Sequence, residues 1–501
     1  MERDIFASYL NNLNSPLSEA ADHSAKEVVS SHLLMEIHEK LDSMKGDCKT
    51  ISPDAYDLAV VNGRVVLPDE GVFACDIYVK DGKIAALGKN GQANQIVDAG
   101  GRYVCPGIID PHVHLGLFAA LDEEIGSETK SALLGGITTI GCHIGSKGTH
   151  FDTYPDFHEK VACSSYTDVI PHLIIANTEQ LREIPEYVGH LGITSFKVYM
   201  NGIPGMIPDV DDGFIMDVFG EVKKTGRKCI VCAHAENRDL VRRANRLARE
   251  RYGPEASIES WDATHPDMAE EEAVIRLSYL AGKSGVPVYF VHITSKLAAE
   301  RLRQIKFENR YVIAETTSPY LAIDKEQICG NRFKMEPPFR EREDREALWK
   351  ALEIGVLDTI GTDNVTMTSQ EKKMDQKMWD AMPGYPALET HLAAVLDEGL
   401  AKRGLPIEEL IGSMTKRPAQ AFGVYPRKGT LLPGSDADIT IVDMNLEREV
   451  RSDELHSRSD FSLFEGRRLK GWPVTTIKGG VVMVEEGKLT SEFRNGKVLE
   501  R

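Results

Sequence analysis

Between Ile108 and Asp363 the chain repeats one pattern eight times, a short β-branched run followed by a helix-like or connecting stretch. The runs are "GIID", "ITTIGCHI", "TDVIPHLII", "GITSFKVYM", "KCIVCAH", "VPVYFVH", "YVIAETT" and "LDTIGTD". Strands of this kind, alternating with helices, read as parallel neighbours whose crossover helices cover the sheet. The interval is close to the ~250 residues that an eight-stranded barrel needs. The expectation is therefore an α/β chain with a (β/α)8 TIM barrel over residues 106–426. An open doubly wound sheet shows the same alternation, and periodicity alone does not separate the two.

The flanks read differently. "YDLAVVNGRVV" and "CDIYVKDGKIAALG" look like hairpin strands around Asn-Gly and Asp-Gly turns, and "GSDADITIVD" and "VTTIKGGVVMVEEGK" read the same way after the barrel. Residues 53–105 and 427–490 are expected to pair into one small β-sandwich, with 491–501 as a C-terminal tail. Residues 1–52 form a separate extension. There Pro16 suits a first helical position, and Val29, Leu33, Ile37, Leu41 and Met44 make one apolar stripe, so an amphipathic helix is expected.

Composition narrows the partners. A chain of 501 residues with 59 basic and 77 acidic side chains has a formal charge of −18, and no basic stripe interrupts it. That argues against nucleic-acid and anionic-membrane partners and for a small-molecule one. No apolar run approaches the ~18 residues needed to span a bilayer. The opening "MERDIFASYLNNLNSP" lacks a secretory apolar core, so a cytoplasmic location is expected. The eight cysteines show no framework spacing. Cys229 and Cys232, in "CIVC", fall on opposite faces of a strand and do not read as a metal pair.

In a barrel of this type chemistry gathers where the strands end. The first run ends in "DPHVHLG", where a two-residue spacing sends His112 and His114 to one side. "CAHAEN" ends the fifth with His234, "YFVHITS" the sixth with His292, and "TIGTDN" the eighth with Asp363. Four imidazoles and a carboxylate on one rim suit a divalent metal of the borderline kind that zinc represents. Lys197, in the apolar run "SFKVYM", would stand among them. A buried ammonium beside cations is repelled, whereas a neutral amine that captures carbon dioxide becomes an anionic, two-oxygen ligand.

These stretches, with "FKMEPPFR", "YPRKGTLLPGSDADI" and "FEGRRLKGWPVTTI", resemble in order and spacing the cyclic amidohydrolases of the dihydropyrimidinase and hydantoinase group, over residues 54 to 490. The resemblance implies a (β/α)8 barrel with a β-sandwich, two zinc ions per subunit bridged by a carboxylated Lys197, and a homo-oligomer, tetramer or dimer. By position, His112, His114, Lys197 and Asp363 match the ligands of the first metal, and Lys197, His234 and His292 those of the second. It also implies hydrolysis of a cyclic C–N bond by metal-activated water. Asp363 then takes the proton and passes it to the leaving ring nitrogen.

The chain departs from that family at three substrate positions. Gly202 stands where the family carries a tyrosine that hydrogen-bonds the attacked carbonyl, Glu336 where it has a serine, and Asp380 where it has an asparagine. His143 and Tyr199 are candidates to replace the lost donor. Two carboxylates accept hydrogen bonds and, when ionised, donate none. The expected substrate is thus a cyclic amide, ureide or imide other than dihydrouracil or hydantoin. The alternatives are an ordinary dihydropyrimidinase or hydantoinase, a deaminase or acyclic N-acyl hydrolase on the same scaffold, and an inactive scaffold protein.

Overall fold

The barrel strands are β1 (Ile108–His114), β2 (Ile137–Ile144), β3 (Asp168–Ile174), β4 (Ser195–Tyr199), β5 (Ile230–His234), β6 (Val288–Phe290), β7 (Val312–Thr317) and β8 (Thr359–Gly361), with a two-residue continuation, β9 (Asn364–Val365). They belong to a computed structural model that describes residues 55–89, 91–203 and 205–501. The helix expected within residues 1–52 lies outside these. Neighbouring strands pair in parallel, in the order β8-β7-β6-β5-β4-β3-β2-β1-β9. β8 pairs with β7, and β9, just beyond Thr362 and Asp363, pairs with β1 on the far edge. One short segment thus joins the first and last strands and curls the sheet into an α/β barrel, which removes the open-sheet alternative.

Inside, Ile109, Ile170, Ile230, Cys232, Tyr289 and Phe422 form an apolar floor. The chain's last residues cover it. The amide of Leu499 donates to Val169 O at 2.8 Å, and the Arg501 guanidinium reaches Phe422 O and Pro171 O. At the opposite end the strands run out into polar turns that cap the next helix. The Asn237 side chain accepts from the amides of Asp239 and Leu240 to start the helix Arg238–Tyr252, so "HAEN" is a strand end followed by a cap. Ser295 does the same for Lys296–Glu308, just after His292. Among the described residues no helix is long and apolar enough to cross a membrane.

The flanks build two further sheets. One, of four strands, holds Tyr56–Val61, Asp76–Lys80, Lys83–Gly88 and Ala93–Asp98; the other, of seven, joins N-terminal strands such as Arg64–Leu67 and Tyr103–Pro106 to Ile439–Glu449 and Arg468–Lys478 from the C-terminal flank. Leu58 and Ile77 from the first and Val65, Val104, Ile439 and Ile477 from the second share one apolar cluster. The Asp-Gly hairpin is present, Asp76–Lys80 pairing antiparallel with Lys83–Gly88. The Asn-Gly hairpin is not. Tyr56–Val61 and Arg64–Leu67 lie in different sheets, and Asn62-Gly63 carries the chain from one layer to the other. Gly63 is required there by packing, since a Cβ would stand 2.4 Å from Val104 Cγ2. Alternation of apolar residues had signalled two strands with buried faces but not that the faces look at each other across layers.

Candidate metal centre

β1 delivers His112 and His114 to the same side, as their spacing requires, and both rings turn to one carboxylate. His112 Nε2 lies 3.1 Å and His114 Nε2 3.3 Å from Asp363 Oδ1. The three residues offer ligand atoms within 4.8 Å of one another. Asp363 reaches this place from the gap between β8 and β9, held at φ 57°, and His292, two residues past β6, sits at φ 41°. Left-handed backbone at residues other than glycine costs about 1–3 kcal/mol each, and here it aims both side chains inward. His292 stacks on His112 with ring centroids 5.5 Å apart and meets His234 edge-on at 4.6 Å.

Lys197 lies in β4 with no exposed surface. Its Nζ has no hydrogen-bond partner among the described residues, and it stands 4.9 Å from the Tyr199 ring. Burial lowers its ammonium to about 8, so roughly a tenth of it is neutral amine at pH 7. Tyr199 is buried, its ring 5.7 Å from His234, and burial raises its phenol. His143 packs among His112, His114 and His172, with centroids 4.6, 5.2 and 4.8 Å away, and both its ring nitrogens lack a partner among the described residues. Burial, and then the charge of Lys197 or a neighbouring imidazole, holds His112, His143 and His292 well below the usual range. They are neutral at pH 7, the form that ligates a metal.

Glu315 and Glu236 were not found from the sequence, and each backs one of these histidines. His112 Nδ1 lies 2.8 Å from Glu315 Oε1, which also accepts the His292 amide at 3.1 Å, while the Tyr289 hydroxyl donates to Oε2 at 2.7 Å. Burial pushes the Glu315 carboxyl up to about 8. His234 Nε2 lies 2.7 Å from Glu236 Oε2, and His265 Nδ1 lies 3.0 Å from Oε1. Burial alone would raise Glu236, but His265 and His234 bring it well below the usual range. Asp110 accepts the amides of His112 at 3.2 Å and Thr362 at 3.1 Å, tying β1 to the turn that carries Asp363. A signal was available for two of them. Glu315 is an acid in an apolar strand, the same anomaly that drew attention to Lys197, and Glu236 stands inside "HAEN".

The donor set fits a metal centre. It combines neutral imidazoles, an ionisable carboxylate and an orphaned buried amine, and carboxylates fix the histidine rings from behind. None of the three positions at which the chain departs from the family pattern belongs to this donor set. Gly202 is buried at φ 68°, and a Cβ there would meet the Asp209 amide nitrogen at 2.7 Å, so this loop has no room for a side chain. Glu336 is half-buried, its charge acting on Lys334 and His265. Asp380 is exposed, in a loop held by Lys334 Nζ, which donates to Met378 O at 2.8 Å and Ala381 O at 2.6 Å.

Comparison with known proteins agrees with this geometry. Residues 192–483 match the amidohydrolase family. The chain is 32% identical over 465 residues to an L-hydantoinase of Paenarthrobacter aurescens, covering 89% of this chain and 98% of that one. It is 30% identical over 469 residues to a dihydropyrimidinase of Arabidopsis thaliana, covering 88% and 85%. Among solved structures, an L-hydantoinase (dihydropyrimidinase) from Arthrobacter aurescens superposes with a TM-score of 0.83 at 30% identity, over 89% of this chain and 100% of that one. With the barrel, the clustered histidines and these matches in hand, the chain belongs to the amidohydrolase family, as a cyclic amidohydrolase of the hydantoinase group and a hydrolase of cyclic amides.

Proposed function

We propose that this enzyme is a binuclear zinc hydrolase that opens the ring of a cyclic amide, ureide or imide at a C–N bond, and that its substrate is neither dihydrouracil nor hydantoin. Lys197 carries the reading. A lysine without exposure or partner, surrounded by histidines, is explained if its amine has taken up carbon dioxide. On this reading His112, His114, carboxylated Lys197 and Asp363 hold the first zinc, and Lys197, His234 and His292 hold the second. Bound zinc supplies a water activated at neutral pH and a Lewis acid for the ring carbonyl. Asp363, against His112 and His114, takes the proton of the attacking water and delivers it to the ring nitrogen as the C–N bond breaks, so no amide anion has to leave. The barrel over residues 106–426 carries this chemistry. The flanks 53–105 and 427–490 form a β-sandwich domain, a reading supported by the apolar cluster that their two sheets share. The working form is a cytoplasmic homo-oligomer, tetramer or dimer.

The substrate reading rests on Gly202, Glu336 and Asp380. With no hydroxyl at position 202, the developing oxyanion must be met by a metal, by His143 or by Tyr199, and two carboxylates favour a ring richer in N–H donors or positive charge. Dihydrouracil and hydantoin should fall at least about a hundredfold below the best compound of a panel of cyclic ureides, imides, lactams and oxopurines in kcat/KM, the scale of one missing oxyanion donor. The similarity to hydantoinases over 89% of the chain favours a second reading, an ordinary hydantoinase, and rapid turnover of either compound would establish it instead. The metal reading is tested by metal analysis, which should give two zinc ions per chain. Carbon-13-labelled bicarbonate should add a carbamate signal that Lys197→Gln lacks; one ion per fully active chain with unmodified Lys197 would overturn it.

A further inference from the structure

His234 and His292, the ligands assigned to the second metal, come from different strands and do not hold each other by any hydrogen bond in the described residues. A buried network links them. His234 Nε2 is taken by Glu236 Oε2 at 2.7 Å, which leaves Nδ1 as the ring's ligand atom. Glu236 is completely buried, and its other oxygen lies 3.0 Å from His265 Nδ1, while the Asn201 amide donates to Oε2 at 3.1 Å. The His265 carbonyl accepts from Arg340 Nη1, and Arg340 Nε donates to Thr294 Oγ1 at 3.1 Å. Thr294 stands two residues beyond His292, and its amide and hydroxyl both donate to Glu270, at 2.9 and 3.1 Å. Glu270 also accepts the amide and hydroxyl of Ser295.

The chain of bonds therefore runs from one ligand ring, through Glu236, His265 and Arg340, to the turn carrying the other. Glu236, His265, Arg340, Thr294 and Glu270 are all buried, so no exposed side chain has to be ordered to complete it. The first metal's ligands do not use it. His112 is fixed by Glu315, and Asp363 by the Asp110–Thr362 contacts.

We propose that His265 and Arg340 are positioning residues for the second metal alone, holding His234 and His292 at the separation the ion requires. The inference rests on the binuclear reading. Partners behind a ligating histidine typically set metal affinity by about 10–100-fold. Removing His265 should therefore weaken one ion by that factor and leave the other unchanged.

The test is zinc stoichiometry and affinity, measured by titration against a chromogenic chelator on the full-length protein, for wild type and for His265→Leu and Arg340→Met, which remove the donors. Arg340→Met keeps much of the length of the side chain and removes every donor to the His265 carbonyl and Thr294 Oγ1. The expected result is two zinc ions in wild type. In each folded variant one ion should be kept at wild-type affinity, and the other should bind at least about tenfold more weakly. Glu236→Gln/His265→Leu, which removes the buried charge together with its partner, replaces the single variant if His265→Leu does not fold. Two ions at unchanged affinity in the folded variants, or equal weakening of both, would overturn the inference while leaving the binuclear reading intact. One ion in wild type would overturn both.

Discussion

Lys197 and Lys428 are both buried lysines in or beside the barrel, yet they are opposite in chemistry. Lys428 enters the far end, where its Nζ lies 2.6 Å from Asp168 and Asp438 and 3.1 Å from Asp436. Burial opposes its charge, but these carboxylates outweigh burial and hold the ammonium above its ordinary range. Lys197 has no hydrogen-bonded carboxylate among the described residues; Asp363 and Glu315 act on it only through their charge, and burial lowers it to about 8. The contrast teaches that burial does not decide what a lysine does. A lysine surrounded by carboxylates stays a cation and fastens the flanking module to β3, whereas one surrounded by imidazoles is free to become something other than a cation.

The comparison breaks most visibly in activity. Lys197→Gln should cost more than about a thousandfold in kcat/KM, beyond the range for one lost transition-state hydrogen bond, with metal content falling in parallel. A Lys197→Gln enzyme with wild-type turnover and full metal content would remove the distinction.

Stability should show the reverse. Lys428→Met leaves Asp438 without its cation, while Asp168 keeps Lys478 and Asp436 keeps Lys83 and Arg427, and should cost about 3 kcal/mol in the metal-free protein, read from the denaturant midpoint. Lys197→Met removes an unpaired buried amine and should be neutral or stabilising under the same conditions. Equal losses in the two variants would mean that Lys197 has a partner in solution.

The smallest effect concerns acid. Burial alone would raise the Asp168 and Asp436 carboxyls, but Lys428, with Lys478 at Asp168, holds both below the ordinary 3.8. A depressed folded-state value means that the stability these groups lend is complete above about pH 4 and is lost as pH falls through the lower folded values. Thermal melts of the metal-free protein between pH 5 and pH 2 should therefore fall more steeply for wild type than for Lys428→Met. Parallel curves would assign acid unfolding to other carboxylates.

Much of this was legible before folding. Eight β-branched runs announced the strands, the His-x-His spacing placed two imidazoles on one side, and an amine in "SFKVYM" marked its own anomaly, because strand periodicity and the cost of burying charge are local properties. Three things required the chain to close on itself. The joining of β8 and β9 to opposite edges chose barrel over open sheet. The crossing at Asn62-Gly63 put strands that read as one hairpin into two layers. The pairing of Glu315 with His112, and of Glu236 with His265, brought together residues that are distant along the chain. Residue type and spacing state what a side chain is able to do and which way it points. The partner it meets is fixed by contacts that closure alone creates, and that is why candidate donors could be nominated from the sequence while the histidine that each supporting carboxylate meets could not.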